Sequence, residues 1–179
     1  MFQIITTIIA ALLIAVDQMV KNWASEVLVK GEIPVIENVL YFKYVENTGV
    51  AFSMFEDNRW LLVAVTAVML IVVLAFFLSG KVTGKLELLS LSLIMSGGIG
   101  NLIDRISLGY VVDFIDVRII NFPIFNIADM CITIGAVLLC VAVFLSEKKE
   151  KTEKDKKQQA LNEIDKDLEK LFSREDSNE

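Results

Sequence analysis

Four long apolar runs, Phe2 to Val16, Trp60 to Ser79, Leu88 to Gly100 and Met130 to Leu145, are separated by charged or polar stretches, and this alternation constrains the chain more than any other feature. Such runs read as membrane helices, because a backbone in hydrocarbon must satisfy its own polar groups within the segment. Composition agrees: 55% of the 179 residues are hydrophobic and the mean hydropathy is positive, too apolar for an ordinary soluble domain. The expected fold is an all-α membrane protein with four transmembrane helices. The first run could be a secretory signal, but it lacks a basic leading region and a small-residue cleavage site, and polar residues follow it directly. It is read as a spanning helix.

Two regions are expected: a membrane-embedded domain over 1–146 and a charged tail over 147–179. The tail holds nine of the 17 basic and 11 of the 23 acidic residues, so the net charge of -6 says little about partners and gives no reason to expect nucleic acid. Within it Leu161, Ile164, Leu168 and Leu171 fall at helical spacing, which predicts a short amphipathic helix. Lys81 and Lys85 lie between the second and third runs, and six lysines from Lys148 to Lys157 follow the fourth. Basic residues mark the cytoplasmic side, so both termini are expected inside, with the segments Lys21 to Arg59 and Arg105 to Ile124 outside. Trp23 and Trp60 suit an outer aromatic belt. The stretch from Ile33 to Val45, with a Glu37-Asn38 turn, predicts a small extracytoplasmic sheet at the membrane surface.

The first and fourth runs, 15 and 16 residues long, reach only roughly 22 to 24 Å as helix against a hydrocarbon core of about 30 Å. Helix one must continue through Asp17 and Lys21, and helix four must begin at or before Asp129. Helix three carries Asn101, Asp104 and Arg105 at the same end, after the helix-packing stretch Ser96 to Gly100, and Asn126 precedes Asp129. All these polar groups fall at one membrane depth, where an ionisable residue costs a few kcal/mol and points to function.

No histidine is present, which removes Ser-His and Cys-His nucleophile pairs and His-ligated zinc. Cys131 and Cys140 are nine apart, on opposite sides of a helix, and are read as buried small hydrophobes. Carboxylates remain. A cluster with two or more of them suggests an aspartic dyad, one ionised and one protonated, splitting base and acid roles. Asp129 is its first member by position. Asp113, Asp116, Asp104 and Asp17 are all open as its partner.

Structural readings compete at several positions. Asp17 and Lys21, at i and i+4, can simply neutralise each other, and Asp104 beside Arg105 reads better as an ion pair or cap than as a catalyst. Asn47-Thr48-Gly49 is ordinary turn chemistry. A small transporter could also use such acids, but no inverted repeats are visible, and helix two carries only Thr66 and Ser79 as polar residues.

Five motifs in order, Asp17 to Lys21, Asn47 to Ser53, Gly97 to Arg105, Val111 to Ile115 and Phe125 to Asp129, interleaved with four spans, make the chain resemble bacterial lipoprotein signal peptidase, signal peptidase II. The resemblance covers residues 2 to 146. It implies catalysis by Asp113 and Asp129, with Asp17, Lys21, Asn47, Gly49, Asn101, Arg105 and Asn126 holding substrate or ordering the pair. It further implies an aspartic endopeptidase that cleaves diacylglyceryl-modified prolipoproteins just before the lipid-bearing cysteine, in the bacterial cytoplasmic membrane, among membrane lipid, as a monomer, with no metal or other cofactor.

Overall fold

The computed structural model describes residues 1–49, 58–120 and 122–175, and of residues 160 and 163–175 the backbone only. The chain divides into two compact units, Met1–Leu139 and Cys140–Glu179. Helix α1 is Phe2–Val27, ending in a 3-10 turn at Leu28–Lys30. Strands β1 (Ile33–Ile36) and β2 (Leu40–Asn47) precede α2 (Arg59–Leu78) and α3 (Lys85–Ser107). Strand β3 is Val111–Val117, followed by a second 3-10 turn at Arg118–Ile120, and α4 is Ile127–Glu175. All four helices are long and apolar enough to cross a membrane. As the shortness of their apolar runs requires, α1 runs past Asp17 and Lys21 and α4 begins before Asp129.

The first unit is built with its polar groups inside. On α1 the buried residues Thr6, Ala10, Asp17, Lys21 and Ala24 share one face, while Ile4, Ile8, Leu12, Val16 and Met19 are exposed. Lipid accepts an apolar surface, so close packing of small residues, rather than exclusion of water, holds such helices together. Helix α3 is the hub, the most buried of the four. A Cβ at Gly97 would run into the Ala128 carbonyl oxygen of α4, one at Gly98 would meet Leu70 of α2 at 2.8 Å, and one at Gly100 would meet Asp17 Oδ2 of α1 at 2.6 Å. The backbone of α3 thus approaches a different helix at each.

The strands form an antiparallel sheet in the order β1-β2-β3. The expected turn is present, with Asn38 at φ 61° and the Val39 N–H donating to the Ile36 carbonyl at 3.0 Å. Strand β3 was not foreseen; its Val111-Val112-Asp113-Phe114 segment is fully buried, which masks the usual alternation. A bulge in β2 between Phe42 and Val45 places Val45 opposite Asp113. Val112 and Phe114 pack with Ala24 and Leu28 of the α1 end, and Trp23, Phe42 and Phe114 stack edge to face at 6.0 and 6.1 Å. After β3 the chain doubles back, and Phe125 pairs with Ile115 through bonds of 2.8 and 3.2 Å. That bridge places Asn126 and the start of α4 beside Asp113.

In the second unit the helical backbone continues to Glu175, so the tail is part of one long helix rather than carrying a short separate one. Glu150 and Lys154 pair at 2.6 Å, and Gln158 donates to Asn162 at 3.1 Å. The side chains of Ile164, Leu168 and Leu171 lie outside the described residues. Cys140 corrects the reading of both cysteines as buried: Cys131 is buried, but Cys140 is exposed, since nine residues are about two and a half helical turns and turn it to the opposite side.

Candidate active site

Three charged side chains meet where α1 crosses α3. Lys21 Nζ lies 2.9 Å from Asp17 Oδ2, 2.9 Å from Asp104 Oδ2 and 2.9 Å from Asn101 Oδ1. An ammonium has three donors and here three acceptors, which matters because Lys21 and Asp17 are each only 2% exposed. Each carboxylate also has a backbone task. Asp17 Oδ1 accepts the Ala128 N–H at 3.0 Å, so α1 caps the first turn of α4. Asp104 Oδ2 accepts the Val112 N–H at 3.2 Å, fixing β3 one residue before Asp113, and Asp104 Oδ1 accepts from Gln18 Nε2 at 2.9 Å.

Asp113 and Asp129 lie beyond this triad, and Asn126 links them. Its Nδ2 donates to Asp113 Oδ1 at 2.6 Å, its backbone N–H donates to Asp129 Oδ2 at 3.1 Å, and its Oδ1 accepts the Asp129 N–H at 3.0 Å. The last two bonds make a reciprocal cap at the start of α4. Asn101 Nδ2 donates to Asp129 Oδ1 at 2.8 Å, and Asn47 Nδ2 donates to Asp113 Oδ2 at 2.8 Å. Every carboxylate oxygen of the two aspartates is thus held by a neutral amide, which orients it without neutralising it.

Burial is the largest influence on Asp113 and disfavours its charged form. The neighbouring Asp129 charge acts in the same direction, and the Asn47 and Asn126 hydrogen bonds only partly oppose them. Its carboxyl is pushed up to about 7. Arg105 interacts electrostatically with Asp129, Asp113 and Asp104. Its Nη2 donates to the Gly49 carbonyl at 3.1 Å, and its buried Nε has no hydrogen-bond partner among the described residues.

The family model described as signal peptidase (SPase) II matches residues 9–145. The chain belongs to the signal peptidase II family. Lipoprotein signal peptidase of Brevibacillus brevis is 43% identical over 144 residues, covering 79% of this chain and 96% of the relative. That of Clostridioides difficile is 42% identical over 143 residues, with the same coverage. A solved bacterial membrane enzyme aligns with TM-score 0.72 and 30% identity over 80% of this chain and 90% of its own. A second aligns with TM-score 0.70 and 32% identity over 77% and 91%. As a member of the signal peptidase II family, the protein is a peptidase.

Within this family member, the nine site residues singled out from sequence gather at the end of the bundle where α1, α3 and α4 meet the sheet. Asn47 both forms a turn and joins this cluster, since its Oδ1 accepts the Gly49 N–H at 3.1 Å while its Nδ2 holds Asp113. The rest of that motif, Val50 to Ser53, lies outside the described residues. Asp104 is an ion-pair partner, as expected, but its cation is Lys21 rather than the adjacent Arg105. Asp116 is removed from the cluster, paired with Arg118 at 2.9 Å; Arg118 also meets Glu32 at 2.5 Å and lies over Tyr41 at 3.7 Å. Gln18 was missed. A glutamine one residue after Asp17 carries no signal by itself, yet it joins α1 to Asp104 and to the Gly100 carbonyl at 3.2 Å.

Proposed function

We propose that this family member is an aspartic endopeptidase that removes the signal peptide from diacylglyceryl-modified prolipoproteins, cutting just before the lipid-bearing cysteine. The observation that carries the catalytic assignment is Asn126, which bonds to both Asp113 and Asp129. The family match supports the reaction. Asp129 takes a proton from water as the water oxygen attacks the scissile carbonyl carbon. Asp113, whose burial keeps its proton near neutral pH, donates that proton to the nitrogen as the C–N bond breaks. Asn101, Asn126 and Asn47 orient the pair, Asp17 and Lys21 hold the helices that carry it, and Arg105 and Gly49 face the substrate backbone. A scissile segment in a water-poor site needs such donors for its carbonyls.

We place the site at the outer face of the bacterial cytoplasmic membrane, with both termini and the 147–179 tail inside, following Lys81 and Lys85 between the second and third apolar runs and the lysines from Lys148 to Lys157 beyond the fourth. The sheet then lies outside, where a lipid-bearing substrate presents its scissile bond. In this reading the protein works as a monomer within membrane lipid. The experiment is cleavage of a diacylglyceryl-modified prolipoprotein by the purified protein in detergent, beside the unlipidated substrate, Asp113→Asn and Asp129→Asn. Wild-type cleavage of the lipidated form alone, absent in both variants, is the expected result. Near-normal cleavage by either variant refutes the dyad.

A further inference from the structure

Helix α2 contributes no residue to the site described above, yet its first residue reaches the segment that carries two of the site's side chains. The last carbonyls of any helix lack intrahelical partners. At the end of α3, the Asp104 carbonyl accepts the Leu108 and Gly109 N–H groups at 2.7 and 3.3 Å, and the Ile103 carbonyl accepts Ser107 Oγ at 2.7 Å. The Ile106 carbonyl is taken by Arg59 Nη2 from α2. The same guanidinium lies against Gly109, where an added Cβ would come within 3.3 Å of Nη1, and 5.1 Å from the Trp60 ring centroid. Gly109 itself has φ 96°, a conformation a side chain resists.

Ile106 directly follows Arg105, and Gly109 is four residues before Asp113. The link from α3 to β3 is therefore held at two places. On one side the Asp104 carboxylate takes the Val112 N–H, and on the other Arg59 takes Ile106 and closes over Gly109. A cation at a helix C-terminus is also favoured by the helix dipole. We infer that Arg59 is a positioning residue for peptide cleavage: by holding the Ile106 carbonyl and the Gly109 turn, it sets the placement of Arg105 and Asp113 relative to Asp129. This rests on the reading of Asp113 and Asp129 as the catalytic pair.

The bland reading of an arginine here is a side chain reaching toward the interface beside an aromatic anchor, which affects insertion but not turnover. Turnover kinetics separate the two. Arg59→Gln should lower kcat by about tenfold with KM within about twofold, the pattern of a misplaced catalytic group rather than lost substrate binding. Arg59→Lys, which can still donate to Ile106, should recover most of kcat. Gly109→Ala perturbs the same contact from the other side, so its effect and that of Arg59→Gln should be strongly non-additive in the double variant. Asp113→Asn is measured in parallel. If Asp113→Asn is inactive while Arg59→Gln turns over like wild type, or if the two single effects simply add, Arg59 has no positioning role. If Asp113→Asn itself remains active, the catalytic reading fails and this inference with it.

Discussion

Lys21 shows how much depends on single side chains here. It is the only cation bonded to both Asp17 and Asp104 among the described residues, so Lys21→Met leaves two carboxylates buried without their partner. Breaking a buried pair from one side costs about 3–5 kcal/mol, and a large fall in thermal stability in detergent is expected. Asn126→Ala should behave oppositely. Its loss as a cap is worth about 1 kcal/mol, but Asp113 loses its Nδ2 donor and the Asp129 N–H loses its Oδ1 acceptor, so turnover should fall by about a hundredfold or more in a protein that still melts cooperatively. Equal activity at equal fold content would contradict the linking role of Asn126. For Asp113 the sign of the pH effect follows from its raised value. Below about pH 4 the carboxyl is protonated in both native and unfolded states; between about 4 and 7 only the native state holds the proton, so this group's contribution to stability falls as pH rises, levelling above 7. Asp113→Asn should therefore melt higher than wild type at pH 8, and the difference should vanish toward pH 4. Cleavage should decline as pH rises through about 7, as the proton on Asp113 is lost.

Among the elements, α3 sets the spacing of the others. At Gly97 an added methyl meets backbone, the Ala128 carbonyl, which cannot swing aside, whereas at Gly98 it meets the end of the Leu70 side chain, which can repack. Gly97→Ala should thus be far more damaging to folding and turnover than Gly98→Ala, measured as folded yield and rate side by side. Equal effects would mean that α3 and α4 separate easily. The short distance from Gly97 to the first turn of α4 also explains the position of Asp129: the turn that carries it is capped by Asp17 from α1 and by Asn126 from its own chain.

At the scale of the whole molecule, the candidate site is complete within the first unit, Met1–Leu139. Deleting Glu150 to Glu179 should therefore leave cleavage of the lipidated substrate within about twofold of wild type. Loss of turnover in a stably inserted truncation would assign the tail a part in the reaction. The four spans were legible because hydrocarbon demands long apolar helices whatever the neighbours, and the extension of α1 and α4 through charged residues followed from length alone. Strand β3 was not legible, because its buried segment reads as an apolar run with an acid in it, and only pairing with β2 and the return at Phe125 makes it a strand.

The sequence by itself determined the helices, their polar ends, the lack of histidine chemistry and, through five ordered motifs, the family. Those are local or additive properties, readable one segment at a time. Only the tertiary structure decided that Lys21 belongs to Asp104 as well as Asp17, that Gln18 joins them, that Asp116 pairs elsewhere, and that one asparagine serves both Asp113 and Asp129. These choices depend on which helix faces meet and on a sheet register with a bulge in it. Groups as many as 111 residues apart, the Asp17 carboxylate and the Ala128 backbone N–H, meet only after the chain has folded.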